Sequence, residues 1–150
     1  MLAEAVVTLG VSGDAAAYLE AGMRQSIAKV ISFGSLDGDY DASFEPSTDD
    51  IDNYVNTVLD SFNAADATGQ MDIIAKEYHI SLYGNGIEAY NMYRRTGMPS
   101  GMQPTREPNP GDFPRLSFYP ADYVNLNANA SQRDITEQVF WDTNPAGFIE

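Results

Sequence analysis

The sequence predicts a mainly α-helical fold over residues 1–97, followed by an irregular, surface-running segment over 98–150. Three observations carry this expectation. Apolar residues recur at three- and four-residue steps through the first part of the chain, the spacing that lines one face of a helix. Short clusters of Gly, Ser, Asp and Asn separate those runs. After Met98, six of the eight prolines (Pro99, Pro104, Pro108, Pro110, Pro114 and Pro120) crowd together. A residue that lacks an N–H and fixes φ permits neither a helix interior nor a central strand.

A first helical segment, Met1 to Leu9, meets the turn Gly10-Val11-Ser12-Gly13. Asp14 then offers its carboxylate to the free N–H groups of a second helix expected over 14–33, along which Ala16, Leu19, Met23, Ile27 and Val30 share a face. Two helices joined by so short a turn must run antiparallel. This unit, with Gly13-Asp14 at the second start and Ala21 and Gly22 within it, resembles a tetratricopeptide-like helical hairpin, and an ordinary helical hairpin satisfies the same residues. A loop rich in Gly, Ser and Asp spans 33–48, and Ser47 or Thr48 caps the next helix, expected over 49–66. Ile51, Tyr54, Val55, Val58, Leu59 and Phe62 give that helix an amphipathic stripe. Asp49, Asp50 and Asp52 occupy its first turn, where the helix dipole favours negative charge.

Beyond Ala67-Thr68-Gly69, a longer helical segment over 70–96 presents Ile74, Tyr78, Leu82, Ile87, Tyr90 and Tyr93 as packing residues. Gly84-Asn85-Gly86 interrupts it. Asn-Gly also suits a hairpin turn, but the flanks keep helical rather than alternating periodicity, which predicts a kink or a brief break. In the proline-rich segment, Phe113, Phe118 and Tyr119 are expected to pin the chain to the helices. Over 134–150, Ile135, Val139, Phe140 and Trp141 suit either a short helix or an extended segment docked on the core.

At 150 residues the chain can build one domain with a real core. It contains no cysteine, which removes thiol catalysis, a Cys-based zinc site and any disulfide framework. The 22 acidic and 8 basic side chains give a formal net charge of -14. Such a surface repels phosphate backbones, so no nucleic-acid partner is expected. No apolar run approaches the roughly 20 residues a membrane span needs, and the N-terminus lacks the pattern of a signal peptide. The chain instead opens inside a helical pattern with no capping residue ahead of Leu2, so we read it as a fragment of a longer chain.

Few residues suggest chemistry. The single histidine, His79, lies in a helical stretch without a nucleophile motif beside it. There is no phosphate-binding glycine loop, dinucleotide fingerprint or His-Glu-x-x-His zinc motif. Asp37, Asp39 and Asp41 have the alternate spacing that begins a calcium loop and are weak metal candidates. Ala42 stands where such a loop needs glycine and Thr48 where it needs a bidentate glutamate, so a solvated acidic loop is preferred. Asn129-Ala130-Ser131 matches a glycosylation sequon and is assigned no function. Paired carboxylates for glycoside hydrolysis are set in space rather than in sequence, and no such pair is located here.

The run from Lys76 to Pro99, which contains Leu82-Tyr83-Gly84-Asn85-Gly86, Glu88-Ala89-Tyr90 and Arg94-Arg95-Thr96-Gly97, resembles the signature stretch of the SusD/RagB-like nutrient-binding proteins. Three further regions agree in order. Leu2-Ala3-Glu4-Ala5 with Gly13-Asp14-Ala15 resembles the family's last helical repeat, Pro114-Arg115-Leu116-Ser117-Phe118-Tyr119-Pro120 its post-signature segment, and Val139-Phe140-Trp141-Asp142 its closing motif. The chain departs in Lys76-Glu77-Tyr78-His79, where Gln-Lys-Trp is commoner, and in Tyr90 and Tyr93, where tryptophans are frequent. At helical spacing Glu88 can pair with Arg95, or Asn91 with Arg94, and the tyrosines between them read as core.

The resemblance implies part of a SusD-like α-superhelical fold, in a lipoprotein at the outer surface of the outer membrane of a Bacteroidetes-type cell. It implies capture of oligosaccharides for a SusC-type TonB-dependent transporter, with membrane association through an upstream N-terminal lipid anchor and without cofactor or catalysis. Of the aromatics outside the long helices, Tyr119, Tyr123 and Trp141 are the candidate carbohydrate-binding residues. The alternatives are a helical protein–protein interaction scaffold and, behind it, a glycoside hydrolase.

Overall fold

The structure is a computed structural model that describes residues 1–103, 105–109, 111–142, 144 and 145. Among these residues it is helical with no strand: α1 (Leu2–Leu9), α2 (Ala15–Phe33), α3 (Thr48–Ala64), α4 (Ala67–Ser81), α5 (Gly86–Thr96) and α6 (Ala121–Leu126), with short 3-10 turns at Gly34–Leu36 and Ala42–Phe44. The chain divides into two compact units, Met1–Asn85 and Gly86–Glu150.

In the first unit, side chains set the helix starts. The Asp14 carboxylate accepts from the Ala17 N–H at 3.1 Å and opens α2. Ser47 and Asp50 form a reciprocal capping box at α3. Asp66 accepts from the Gly69 N–H at 2.8 Å, so α4 begins at Ala67 and not near Gln70 as expected. The apparent linker Ala67-Thr68-Gly69 is the first turn of α4, where N–H groups have no intrahelical partner and a carboxylate cap supplies one.

α1 and α2 form a hairpin, α3 packs on α2, and α4 closes against the other three. Their shared core is Ala3, Leu19, Met23, Val55, Phe62 and Ile74, with Val7, Ile51, Val58 and Leu59 packed around it. The expected stripe of α3 is therefore the buried one. Val30, placed on the packing face of α2 by its spacing, is exposed near the C-terminal end of that helix, beyond its core residues Leu19 and Met23. Between α2 and α3, Arg24 bridges Glu20 at 2.8 Å and Asp52 at 2.7 Å.

The expected break in the 70–96 segment lies between Ser81 and Gly86. Gly84 turns it with φ +86°, a region that a side chain disfavours, and the Asn85 N–H closes onto the Leu82 carbonyl at 2.7 Å.

In the second unit α5 buries Met92 and Tyr93, whereas Ile87, expected as a packing residue, is exposed in the first turn. Gly97 ends the helix with φ +69°, and a Cβ there would meet the Asn144 Oδ1 at 2.8 Å. The Met98–Pro99 peptide is cis. Phe113 packs against the Tyr90 and Tyr93 rings at 5.7 and 5.9 Å, but Phe118 is exposed and pins nothing. The N–H groups of Arg115 and Leu116 both donate to the Ile135 carbonyl, at 2.7 and 3.1 Å. The irregular third holds a helix that was not expected, α6, which follows Pro120. Turns rather than a helix carry Ile135 and Trp141, and Phe140 projects into solvent. Pro104, Pro110, Thr143 and 146–150, the end of the expected docking segment, lie outside the described residues.

Truncating the core should separate buried from merely periodic positions. Phe62→Ala should cost about 3–5 kcal/mol, while Val30→Ala should stay within about 0.5 kcal/mol. Urea unfolding followed by far-ultraviolet circular dichroism measures both.

Candidate functional site

Two arginines organise the second unit. The Arg94 guanidinium, presented by the last turn of α5, lies between the rings of Tyr90 and Trp141, 4.7 and 4.5 Å from their centroids. Both ring faces are engaged as cation–π partners. Arg94 also donates to the Arg115 carbonyl and, at 3.3 Å, to Asn91 Oδ1, which is one of the two pairings read from the helical spacing. The Tyr90 hydroxyl donates to the Pro114 carbonyl at 2.6 Å.

Arg115 is buried and makes a two-pronged ion pair with Asp142, Nε to Oδ2 at 2.6 Å and Nη2 to Oδ1 at 2.7 Å. Arg115 also donates to the Asn144 carbonyl at 2.6 Å and the Pro145 carbonyl at 3.0 Å. The hydrogen bonds from Arg115 hold the Asp142 carboxyl below the usual carboxylate range, against the opposing effect of burial. Asn144 in turn donates from Nδ2 to the Arg94 carbonyl at 2.8 Å. These residues form a structural centre in which Arg115 and Asp142 are paired as ions, whereas Arg94 is held by rings and neutral acceptors and keeps its buried Nε without a hydrogen-bond partner.

Of the three aromatic candidates, Tyr119 and Tyr123 come together. Their rings meet edge to face, 5.4 Å between centroids at 66°, with 40% and 51% of their surface exposed. The pair is set by α6, whose first turn carries Tyr123, and by Gln132, which clamps the Tyr119 backbone by accepting from its N–H at 2.9 Å and donating to its carbonyl at 3.0 Å. Arg133 sits beside the Tyr119 hydroxyl and pairs with Glu137 at 2.9 Å. An amide, a guanidinium and a carboxylate thus edge this exposed aromatic surface. Trp141 does not join this pair, since Arg94 occupies its face. Sequence reasoning missed Gln132 and Arg133, whose roles depend on a return of the chain that no local pattern announces.

The acidic loop spends its carboxylates singly. Asp37 accepts from the Asp39 N–H at 3.0 Å and Asp41 from the Ser43 N–H at 2.9 Å, and the Ser43 bonds lower the Asp41 pKa. Tyr40 lies over Gly34 and donates to Glu45, which pushes its phenol up to about 12. Among the described residues no group of three or more His, Asp or Glu side chains is placed to hold a metal ion. His79 is half-buried on α4, with its Nδ1 buried and without a hydrogen-bond partner.

Comparison with protein-family models, curated proteins and solved structures returns no match to this chain.

Removing the Asp142 charge tests the structural centre. Asp142→Asn should lose about 3 kcal/mol near neutral pH, because a buried guanidinium is left without its counter-charge. Since the folded pKa of Asp142 is depressed, its contribution is present above the unfolded value of about 3.9 and is lost as pH falls through the folded value. The gap between the parent chain and the variant should therefore begin to narrow below about pH 4 and close only below the folded value. Urea titrations across that range measure it.

Proposed function

We propose that the chain is the C-terminal part of a SusD/RagB-like nutrient-binding protein. In this reading it holds oligosaccharides at the bacterial cell surface without cleaving them. It delivers them to a SusC-type TonB-dependent transporter of the outer membrane, to which a lipid anchor on an upstream segment keeps it close. The observation that carries this reading is the long ordered resemblance running from Lys76 to Pro99 and continued at Pro114–Pro120 and Val139–Asp142. The Tyr119–Tyr123 pair adds support, as exposed aromatic surface with hydrogen-bonding side chains at its edge. Two aromatics of the signature stretch serve packing: Tyr93 is buried and Tyr90 is bonded to Arg94 and Pro114.

One observation favours a second reading, a helical protein-interaction scaffold. Leu2, Leu9, Ile80 and Tyr83 expose 52 to 99% of their surface in the first unit, and exposed apolar groups favour association. Co-purification of the full-length protein with a large TonB-dependent barrel supports the first reading, and stable capture of helical partners without it supports the second.

Calorimetric titration of the full-length protein with a panel of neutral oligosaccharides should show binding, and residues 1–150 alone should bind weakly or not at all. Tyr119→Ala or Tyr123→Ala in the full-length protein should weaken binding by about tenfold, the effect of losing one aromatic contact of roughly 1.4 kcal/mol. Chromatography of the sugars afterwards should show no shorter products; their release overturns the binding-protein reading.

A further inference from the structure

We infer that a cleft in the first unit, between α1, α2 and α4, is a binding site for a small organic ammonium compound, with Glu77 as its counter-ion and tyrosine rings around the charge. The cleft has a volume of about 140 Å³ and opens to solvent. That is close to the roughly 150 Å³ of a protein cavity that takes up benzene, so a six-membered ring or short alkyl chain suits it. Leu2, Leu19, Met23 and Ile74 supply its apolar wall.

The charge pattern identifies the ligand class. Among the described residues Glu77 is the only charged side chain lining the cleft, no lysine, arginine or histidine lines it, and the one cationic group in the lining of residues 1–150 is the Met1 α-ammonium. It is 8% exposed, and carboxylates so deeply buried are ordinarily paired. Its Oε2 accepts from the Tyr54 hydroxyl at 2.6 Å. Burial first, and then Glu77, drive the Tyr54 phenol far above its usual pKa, so the hydroxyl remains a donor at neutral pH. This donor is neutral and brings no positive charge to the carboxylate. Tyr18, Tyr54 and Tyr78 line the same cleft. Aromatic faces beside a carboxylate attract a cation on both counts, and the net charge of -14 favours its approach. An anion would be repelled by the same groups. Tyr119 and Tyr123 play no part in this site, so it stands or falls apart from the glycan reading.

The test uses residues 1–150 with 2-phenylethylammonium chloride and its neutral counterpart 2-phenylethanol, titrated by calorimetry and by ligand-observed magnetic resonance. The ammonium should bind at least tenfold more tightly than the alcohol. Glu77→Gln should abolish that preference, leaving the two compounds equal. Gly22 also lines the cleft, and an added Cβ there meets nothing within 4 Å. Gly22→Leu should therefore keep the helical spectrum and block both compounds, which keeps the test decisive if Glu77→Gln does not fold. Equal affinity of the two compounds for the unaltered chain, or a preference that survives Glu77→Gln, overturns the assignment. Absence of binding overturns it too, as does a concentration-dependent dimer that Gly22→Leu dissolves, which would mean that a second copy fills the cleft.

Discussion

Among the described residues after Thr96, the fold turns on a shortage of backbone hydrogen-bond donors. Each proline offers a carbonyl and withholds an N–H, so a stretch as rich in proline as 98–120 has more acceptors than its backbone can match. Buried acceptors must nevertheless be served. Arginine carries five donors and no acceptor, and the second unit uses it where another protein would use a sheet. Arg115 reaches a carboxylate and two carbonyls, Arg94 reaches the Arg115 carbonyl, and Tyr90 supplies Pro114. The irregular trace keeps a shape because a few side chains do the work of a ladder.

The first unit solves the opposite problem. Its helices satisfy their own backbones and are short of partners only at their ends, where Asp14, Asp50 and Asp66 take up the free N–H groups. Asp37 and Asp41 do the same for the turns of the 33–48 loop. A good part of the acidity thus has a structural use, so carboxylate abundance alone is a poor guide to a metal or catalytic site.

What was legible follows from the range of each interaction. Caps, breakers and the Ile51–Phe62 stripe act within a turn or two, and the four long helical segments, the break at Gly84 and the irregular third were readable from them. α6 escaped because six residues behind a proline are too few to display a period. The exposure of Val30 and Ile87 escaped because a stripe shows which face is apolar and not whether anything covers it. Trp141 looked like a free ring because Arg94, its partner, stands 47 residues earlier in the chain. The Arg115–Asp142 pair was equally hidden, although both residues fall in segments that the family resemblance had singled out. The Tyr119–Tyr123 contact was not legible, since it needs both α6, which carries Tyr123, and the Gln132 clamp that fixes Tyr119 ahead of the helix.

The preference for guanidinium over ammonium donors leaves a chemical asymmetry in the chain. Both lysines, Lys29 and Lys76, lie in the first unit and are exposed, whereas residues 86–150 contain five arginines and no lysine. A primary-amine reagent consequently finds its side-chain targets on one unit only. Coupling a dye, a biotin or a sensor surface through lysine would tether the molecule by its first unit and leave the Tyr119–Tyr123 surface chemically untouched.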